Sequence, residues 1–272
     1  RPPPSEQLSD HLGHCADIEL MMRDQMDPGV INHNSVATVV KTLPQRNDIR
    51  SNLEVLRQYL PPTAEIFVAG GAIRNLVIEM IHGGAPPTYD IDLFIGGVAG
   101  DEPLIDRLSG LDVRSTELGG WRWHPPESAL AFDFCLLPNF IIIAKYRMAP
   151  TLANLLSSID LTVNAVIYDI FNKKLYENRC INSIEQRIID FNTRRLASQL
   201  LIVYRILLIH HKIGFRFAEQ VFAFLKLQNN LETLNALKPL LVNKQGKAKT
   251  RAILAEYDRI CRFHSYTDYL RA

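Results

Sequence analysis

The 272-residue sequence predicts an α+β fold in which a small mixed β-sheet is followed by a helical second half. Short β-type runs and one amphipathic helix alternate up to about residue 150, and strand signals become rare after Thr151. With 47% hydrophobic and 22% charged residues, the chain has a globular composition and enough length for two folded units. We predict a helical N-terminal extension over 1–61, a sheet-containing head over 62–150 and a helical domain over 151–272.

The extension and the start of the head are predicted from helical spacing and a glycine pair. Pro61-Pro62 ends a helix that carries apolar residues at spacings of four, three and four: Ile49, Leu53, Leu56 and Leu60. The β-type run 65–69 then enters Gly70-Gly71, and apolar residues over 73–81 fall on one helical face. This order predicts a strand, a tight turn and a helix.

The rest of the head and the second half follow from the same patterns. Runs 89–95 and 129–136 are strand-like, and 165–168 is the one strand signal after Thr151. Apolar residues at helical spacing predict helices over 151–158, 183–188, 195–212, 217–228, 231–241 and 248–262.

Charge and cysteine content restrict the class of protein. Thirty Lys and Arg against 29 Asp and Glu give a net charge of +1, so nucleic acid or lipid binding would need a local patch. The four scattered cysteines suggest a reducing, cytoplasmic compartment. The longest apolar run, 200–209, contains Arg205 and is shorter than the roughly 20 residues of a membrane span. Because the chain begins at Arg1 instead of methionine, and Pro2-Pro3-Pro4 is not a signal-peptide start, we expect a trimmed sequence that does not show its native targeting segment.

Three aspartates are the candidate catalytic and metal-binding residues. Alternation along a strand places Asp90 and Asp92 on one face, where their repulsion favours a shared divalent cation; the alternative is a solvated strand edge. Asp133 lies in the centre of an apolar strand and needs a partner. It either joins the other two acids around metal or pairs with a base such as Arg122, and spacing alone favours the ion pair.

The glycine turn is a candidate phosphate site. Gly70-Gly71 lies before a helix N-terminus, where backbone N–H groups suit phosphate oxygens, and Arg74 could add a forked cationic contact. The alternative is a turn that only needs a positive φ.

Three further groups have both a functional and a structural interpretation. His11, His14 and Cys15 could ligate a metal but fit a surface helix better, and the segment 121–123 (Trp-Arg-Trp) could stack bases or pack in the core. The best basic patch is a weak candidate for RNA binding, and a solvated loop explains it nearly as well: Lys244, Lys247, Lys249 and Arg251.

Three ordered motifs resemble the class II nucleotidyltransferases, the bacterial poly(A) polymerases and CCA-adding enzymes of the polymerase β superfamily. The motifs are Gly70-Gly71-Ala72-Ile73-Arg74, Asp90-Ile91-Asp92-Leu93 and Asp160-Leu161-Thr162-Val163-Asn164-Ala165, within a similarity over about 64–216. The resemblance implies a palm-like head with a helical neck and body. It also implies that two Mg²⁺ ions bind Asp90, Asp92 and Asp133, and that the remaining matched residues bind the nucleotide: Gly70, Gly71, Arg74, Asp160, Asn164 and Arg205.

The sequence departs from that family at several positions. Ser158-Ile159 stands where the family has two arginines, and the base-reading signature falls on the mainly apolar segment 198–202. Asn75 replaces an acid after Arg74, and the loop before Asp90 is enlarged. An apolar segment cannot make the base-edge hydrogen bonds that strict base selection requires.

The resemblance implies transfer of a nucleoside monophosphate, with ATP as the expected donor, to a hydroxyl acceptor, with RNA or tRNA 3′ ends favoured. Two alternatives remain open: the same chemistry on a protein or small molecule, and a non-catalytic nucleotide- or RNA-binding scaffold of the same fold.

Overall fold

The computed structural model describes residues 34–99, 104–116 and 119–272. The predicted extension is described from Asn34 onward, and it contains α1 (Asn34–Val40) and α2 (Asn47–Tyr59). The apolar positions predicted from helical spacing in α2 are buried, and α1 packs against the helix that follows the glycine pair. The prediction for residues 1–33, including His11, His14 and Cys15, lies outside the described residues.

A seven-stranded mixed sheet forms the centre of the described chain and confirms the predicted α+β class. Its strands lie in the order β3-β4-β5-β2-β1-β6-β7, and β2 and β5 are parallel while the other neighbours are antiparallel. The strands are β1 (Glu65–Ala69), β2 (Asp90–Gly96), β3 (Val113–Ser115), β4 (Trp121–Trp123), β5 (Ala131–Leu136), β6 (Val166–Asp169) and β7 (Lys174–Glu177).

Helices account for most of the remaining described residues, as the spacing of apolar residues predicts. They are α3 (Gly71–His82), α4 (Leu104–Arg107), α5 (Ile141–Lys145), α6 (Leu152–Ser158), α7 (Cys180–Glu185), α8 (Gln199–Ile213), α9 (Glu219–Gln228), α10 (Leu231–Gln245), α11 (Lys247–Cys261) and α12 (Tyr266–Arg271). No helix in the described ranges combines the length and the apolar character needed to cross a membrane.

The second half of the chain contains more strand than its sequence pattern predicts. The strands β6 and β7 extend the sheet past residue 150, because β6 pairs with β1. A two-stranded parallel pair, β8 (Ile188–Ile189) and β9 (Arg216–Phe217), also lies among the later helices. The sheet therefore continues beyond residue 150, and the domain boundary placed there stays a prediction.

Alternation along the strands decides which face carries the acids. Odd-numbered residues of β2, including Ile91 and Leu93, pack into the large core that also contains α2 and α3. Phe94 packs instead with Ala69 and the buried residues of α6 on the opposite face. Asp90 and Asp92 share the register of Phe94, so burial of their neighbours turns both carboxylates to this second face.

Candidate functional site

Asp90, Asp92 and Asp133 converge on one face of the sheet and are called the acidic triad below. Asp92 lies directly opposite Asp133 in the parallel pairing of β2 with β5. One carboxylate oxygen from each residue lies within 4.8 Å of the other two. Within the described ranges, this is the one group of three or more His, Cys, Asp or Glu side chains placed to hold a metal ion.

The triad is electrostatically unfavourable without a cation. Burial, followed by the charges of Asp90 and Asp133, raises the pKa of Asp92 from 3.8 to about 6, and Arg205 and Arg74 oppose this rise. Oxygen ligands in close array are the donor set that Mg²⁺ prefers, so the residues present fit the ion that the resemblance implies.

Asp133 also forms the ion pair with Arg122 that its spacing in the sequence favours. Arg122 on β4 lies opposite Asp133 on β5 and donates from Nε to Oδ1 at 2.6 Å and from Nη2 to Oδ2. The bond to Asp133 raises the pKa of Arg122. The two sequence interpretations are therefore compatible, because Asp133 contacts Arg122 and still lies within the triad.

The glycine turn is placed directly beside the triad. Gly70 has φ +67°, and a Cβ added to it would lie 3.4 Å from Asp92 Oδ2. Its N–H donates to Val166, and α3 begins at the next residue with no acidic residue in its first turn. The turn therefore requires glycine for its backbone conformation, and it also places a helix N-terminus next to the carboxylates.

Arg74 is buried behind this turn. Its guanidinium donates to the side-chain oxygens of Asn75 and Asn164, and Asn75 in turn donates to Thr88 at 3.1 Å. Burial lowers the pKa of Arg74 to about 10. The amide oxygen of Asn75 thus accepts the hydrogen bonds of Arg74 at the position where an acid was expected.

Asp160 and Arg205 pair with each other. Arg205 donates through Nε to Oδ2 of Asp160 and through Nη2 to Oδ1 at 3.1 Å. The charge of Asp160, and to a smaller extent that of Asp92, raises the pKa of Arg205. Arg205 is therefore a fixed positive charge between the helical half of the chain and the triad.

At the two positions where the sequence departs from the resembled family, the side chains have structural roles. Ser158 and Ile159 are buried, and Ser158 donates to the carbonyl oxygen of Asn154. At the start of α8, Ser198 accepts the N–H of Leu201 as a helix cap, and Ile202 is buried. Neither segment presents the cationic or base-reading side chains that the resemblance implies.

The weaker sequence candidates differ in how deeply their side chains are buried. Trp123 is buried against Phe132, and Trp121 stacks on Phe134 with ring centroids 5.8 Å apart, so both pack in the core. The basic patch lies exposed at the junction of α10 and α11, around Gly246.

Lys212, which sequence reasoning did not single out, is an exposed lysine whose pKa responds to the charges of the triad. Burial and then Arg74 lower its pKa, while Asp90 and Asp92 raise it, so Lys212 lies within electrostatic reach of the triad. Lys249 of the basic patch also lowers the pKa of Lys212. A lysine in the last turn of a helix is an ordinary complement to the helix dipole, and the sequence carries no other signal at this position.

Comparison with known proteins gives the fold. No protein-family profile matches the chain, and no curated protein matches its sequence. Solved structures of a CCA-adding enzyme with ATP and with CTP match it with TM-scores of 0.52 and 0.54 at 14% and 15% identity. The Thermotoga maritima CCA-adding enzyme complexed with tRNA matches with a TM-score of 0.50 at 16% identity.

These alignments cover 80–81% of this chain but only 54% of each matched chain. The chain thus spans about half the length of the structures that it matches. The chain therefore shares the fold of these CCA-adding enzyme structures over the aligned residues.

Proposed function

We propose that this chain is a magnesium-dependent nucleotidyltransferase that transfers a nucleoside monophosphate, AMP in the favoured case, from a triphosphate to an RNA 3′ hydroxyl. The observation that carries the proposal is the acidic triad beside the Gly70-Gly71 turn. The fold supports it, because the matched structures include CCA-adding enzymes in complex with ATP, CTP and tRNA.

The triad supplies the metal ligands in this proposal. Asp90, Asp92 and Asp133 would hold two Mg²⁺ ions, and burial together with the closeness of the three acids explains why the pKa of Asp92 is raised when no cation is present. When bound, Mg²⁺ lowers the pKa of an attacking hydroxyl and neutralises a departing pyrophosphate. Asp90 and Asp92 are held rigid by the buried strand between and beyond them, which fixes the direction of their oxygens.

Phosphate binding falls to the turn and to nearby cations. The backbone at Gly70-Gly71 admits close approach of an anion, and the N-terminus of α3 adds a favourable dipole. Asn164 and Asp160 would act through the arginines that they hold, Arg74 and Arg205. The hydrogen bonds of these two arginines hold positive charge close to the carboxylates before a nucleotide binds.

Acceptor choice is the least constrained part of the function. Exposed Lys247, Lys249 and Arg251 favour a polyanion, since cations at the α10–α11 junction can neutralise an RNA backbone. A protein or small-molecule acceptor is the second candidate, favoured by the burial of Ser158-Ile159 and Ile202 at the positions where the family has nucleotide-binding side chains.

The scattered cysteines fit a cytoplasmic enzyme.

The test is transfer of label from each α-labelled triphosphate, with Mg²⁺, into separate pools of RNA and protein. We expect label in RNA, strongest with ATP, and none with the Asp90→Ala/Asp92→Ala variant. Asp112→Ala, which removes an exposed aspartate before β3, is the matched control and should transfer normally. Label in protein would support the second candidate, and nucleotide binding without any transfer would reduce the chain to a binding scaffold.

A further inference from the structure

A row of three charged residues crosses three neighbouring strands of the sheet. Arg122 on β4 lies opposite Asp133 on β5, and Asp133 lies opposite Asp92 on β2. Because directly paired residues project from the same face, the register alone places the guanidinium at the edge of the acidic triad.

Both oxygens of Asp133 accept hydrogen bonds from Arg122. The Nε–Oδ1 distance is 2.6 Å, and Nη2 donates to Oδ2. The charges of Asp90 and Asp92 also raise the pKa of Arg122, so the guanidinium acts on all three carboxylates. Arg74 and Arg205 influence Asp92 from other directions, but their own donors bond to Asn164 and Asp160.

A purely structural role for this pair is the competing explanation. The strands β4 and β5 are already joined by their backbone pairing and by two aromatic pairs on the other face, Trp121 stacked on Phe134 and Trp123 tilted against Phe132. The Arg122 side chain is 44% exposed, which is more than a buried tie between strands requires. We therefore attribute the effect of Arg122 on the site to its charge.

Formal charge gives the size of that consequence. Three ionised carboxylates carry a charge of −3, and Arg122, which is bonded to Asp133, reduces this to −2, which one divalent cation balances even before the nearby charges of Arg74 and Arg205 are counted. A second divalent cation would enter a site that is already neutral and would face the guanidinium. Each carboxylate oxygen keeps a second lone pair, so Asp133 can still serve as a metal ligand beside Arg122.

We propose that Arg122 is a built-in counter-ion of the acidic triad, which limits the free protein to one tightly bound divalent cation. The inference rests on the proposed metal site and concerns the cation count of that site. The second cation then depends on the negative charge that a nucleotide's phosphates bring.

The test is titration of the nucleotide-free protein with Mn²⁺, with unbound Mn²⁺ measured by electron paramagnetic resonance. The wild type should bind one ion per chain, with a second at least tenfold weaker. Arg122→Gln should bind the second ion at least fivefold more tightly than the wild type. Arg114→Gln is the matched control, because Arg114 lies opposite Arg122 on β3 and its replacement removes the same charge one strand further from the triad. It should stay within twofold of the wild type.

The sign of the change separates the two roles of Arg122. If Arg122 only orients Asp133, then Arg122→Gln will bind Mn²⁺ equally or more weakly, and the proposal is wrong. Should Arg122→Gln fail to fold by circular dichroism, Arg122→Lys decides. That variant keeps the charge and removes the fork, so one tight ion supports the proposal and two tight ions contradict it.

The titration contains no nucleotide or acceptor, so its result is independent of transfer. A wild type that binds no Mn²⁺ would overturn both this inference and the metal site of the proposed function. A wild type and Arg122→Gln that bind alike would overturn the role of Arg122 alone and leave the proposed transfer standing.

Discussion

Replacing Asp92 by asparagine separates the electrostatic penalty of the acidic triad from its function. The pKa of Asp92 is raised from 3.8 to about 6, first by burial and then by its two acidic neighbours. Each tenfold change in an acid dissociation constant corresponds to about 1.4 kcal/mol. Ionised Asp92 therefore destabilises the metal-free protein by up to about 3 kcal/mol at pH 8. Since the residue is partly exposed, we expect about 1–2 kcal/mol of this to be recovered by Asp92→Asn.

The direction in which stability changes with pH follows from proton linkage. The native protein binds the Asp92 proton more tightly than the unfolded chain does, so this group lowers stability as the pH rises from about 4 to about 6. Above pH 6 the penalty is constant. The stability difference between Asp92→Asn and wild type should therefore be full at pH 8 and vanish near pH 4.

Thermal unfolding with EDTA and with Mg²⁺ measures both effects. At about 2–4 °C per kcal/mol, Asp92→Asn without metal should raise the Tm at pH 8 by about 2–8 °C. At 100 times its Kd, Mg²⁺ should stabilise the wild type by about 2.7 kcal/mol and so raise its Tm. The Tm of Asp92→Asn should not change on addition of Mg²⁺. Asp112→Asn is the control for an exposed aspartate. A Tm at pH 8 that falls on substitution, or that rises equally at pH 4, would refute the reasoning.

Three further sets of substitutions test separate parts of the site. Gly70→Ala places a Cβ at φ +67° and 3.4 Å from Asp92 Oδ2, so it should lower the free energy of unfolding in urea by about 1–3 kcal/mol and reduce transfer. Gly84→Ala is the control, because its Cβ meets no atom within 4 Å and should change stability little. Arg205→Ala leaves the Asp160 carboxylate without its ion-pair partner and should destabilise the protein by about 2–3 kcal/mol. Adding Asp160→Asn to the same chain should restore part of this stability. No recovery in urea unfolding would contradict the pairing. Changing three exposed basic residues to alanine, Lys247, Lys249 and Arg251, should weaken RNA binding measured by fluorescence anisotropy. The dependence of log K on log salt concentration should become shallower by about 0.7 for each phosphate that is no longer neutralised. An unchanged slope would exclude the patch as an RNA-binding surface.

The local parts of the site could be predicted because short-range patterns determine them. The run 65–69, the glycine pair and the apolar spacing over 73–81 predict a strand, a turn and a helix, and the structure has β1, Gly70 at φ +67° and α3 there. Strict alternation in β2 likewise predicts that Asp90 and Asp92 share a face.

Contacts between distant segments could not be predicted in the same way. The pairing of β6 with β1 joins residues about 100 positions apart, and one signal of four residues does not reveal which strand it joins. The bonds of Arg74 to Asn164 and of Arg205 to Asp160 depend on how the helical half packs on the sheet. For Asp133 the sequence offered metal or Arg122 as exclusive partners, because spacing does not show that one carboxylate can contact both.

A crystal structure of the chain with ATP and Mn²⁺ tests the central claim most directly. The account predicts anomalous density for Mn²⁺ bonded to oxygens of Asp90 and Asp92, with the phosphates of ATP against the backbone of Gly70-Gly71. Ordered ATP bound elsewhere, or carboxylates that contact only protein groups while nucleotide is present, would contradict it.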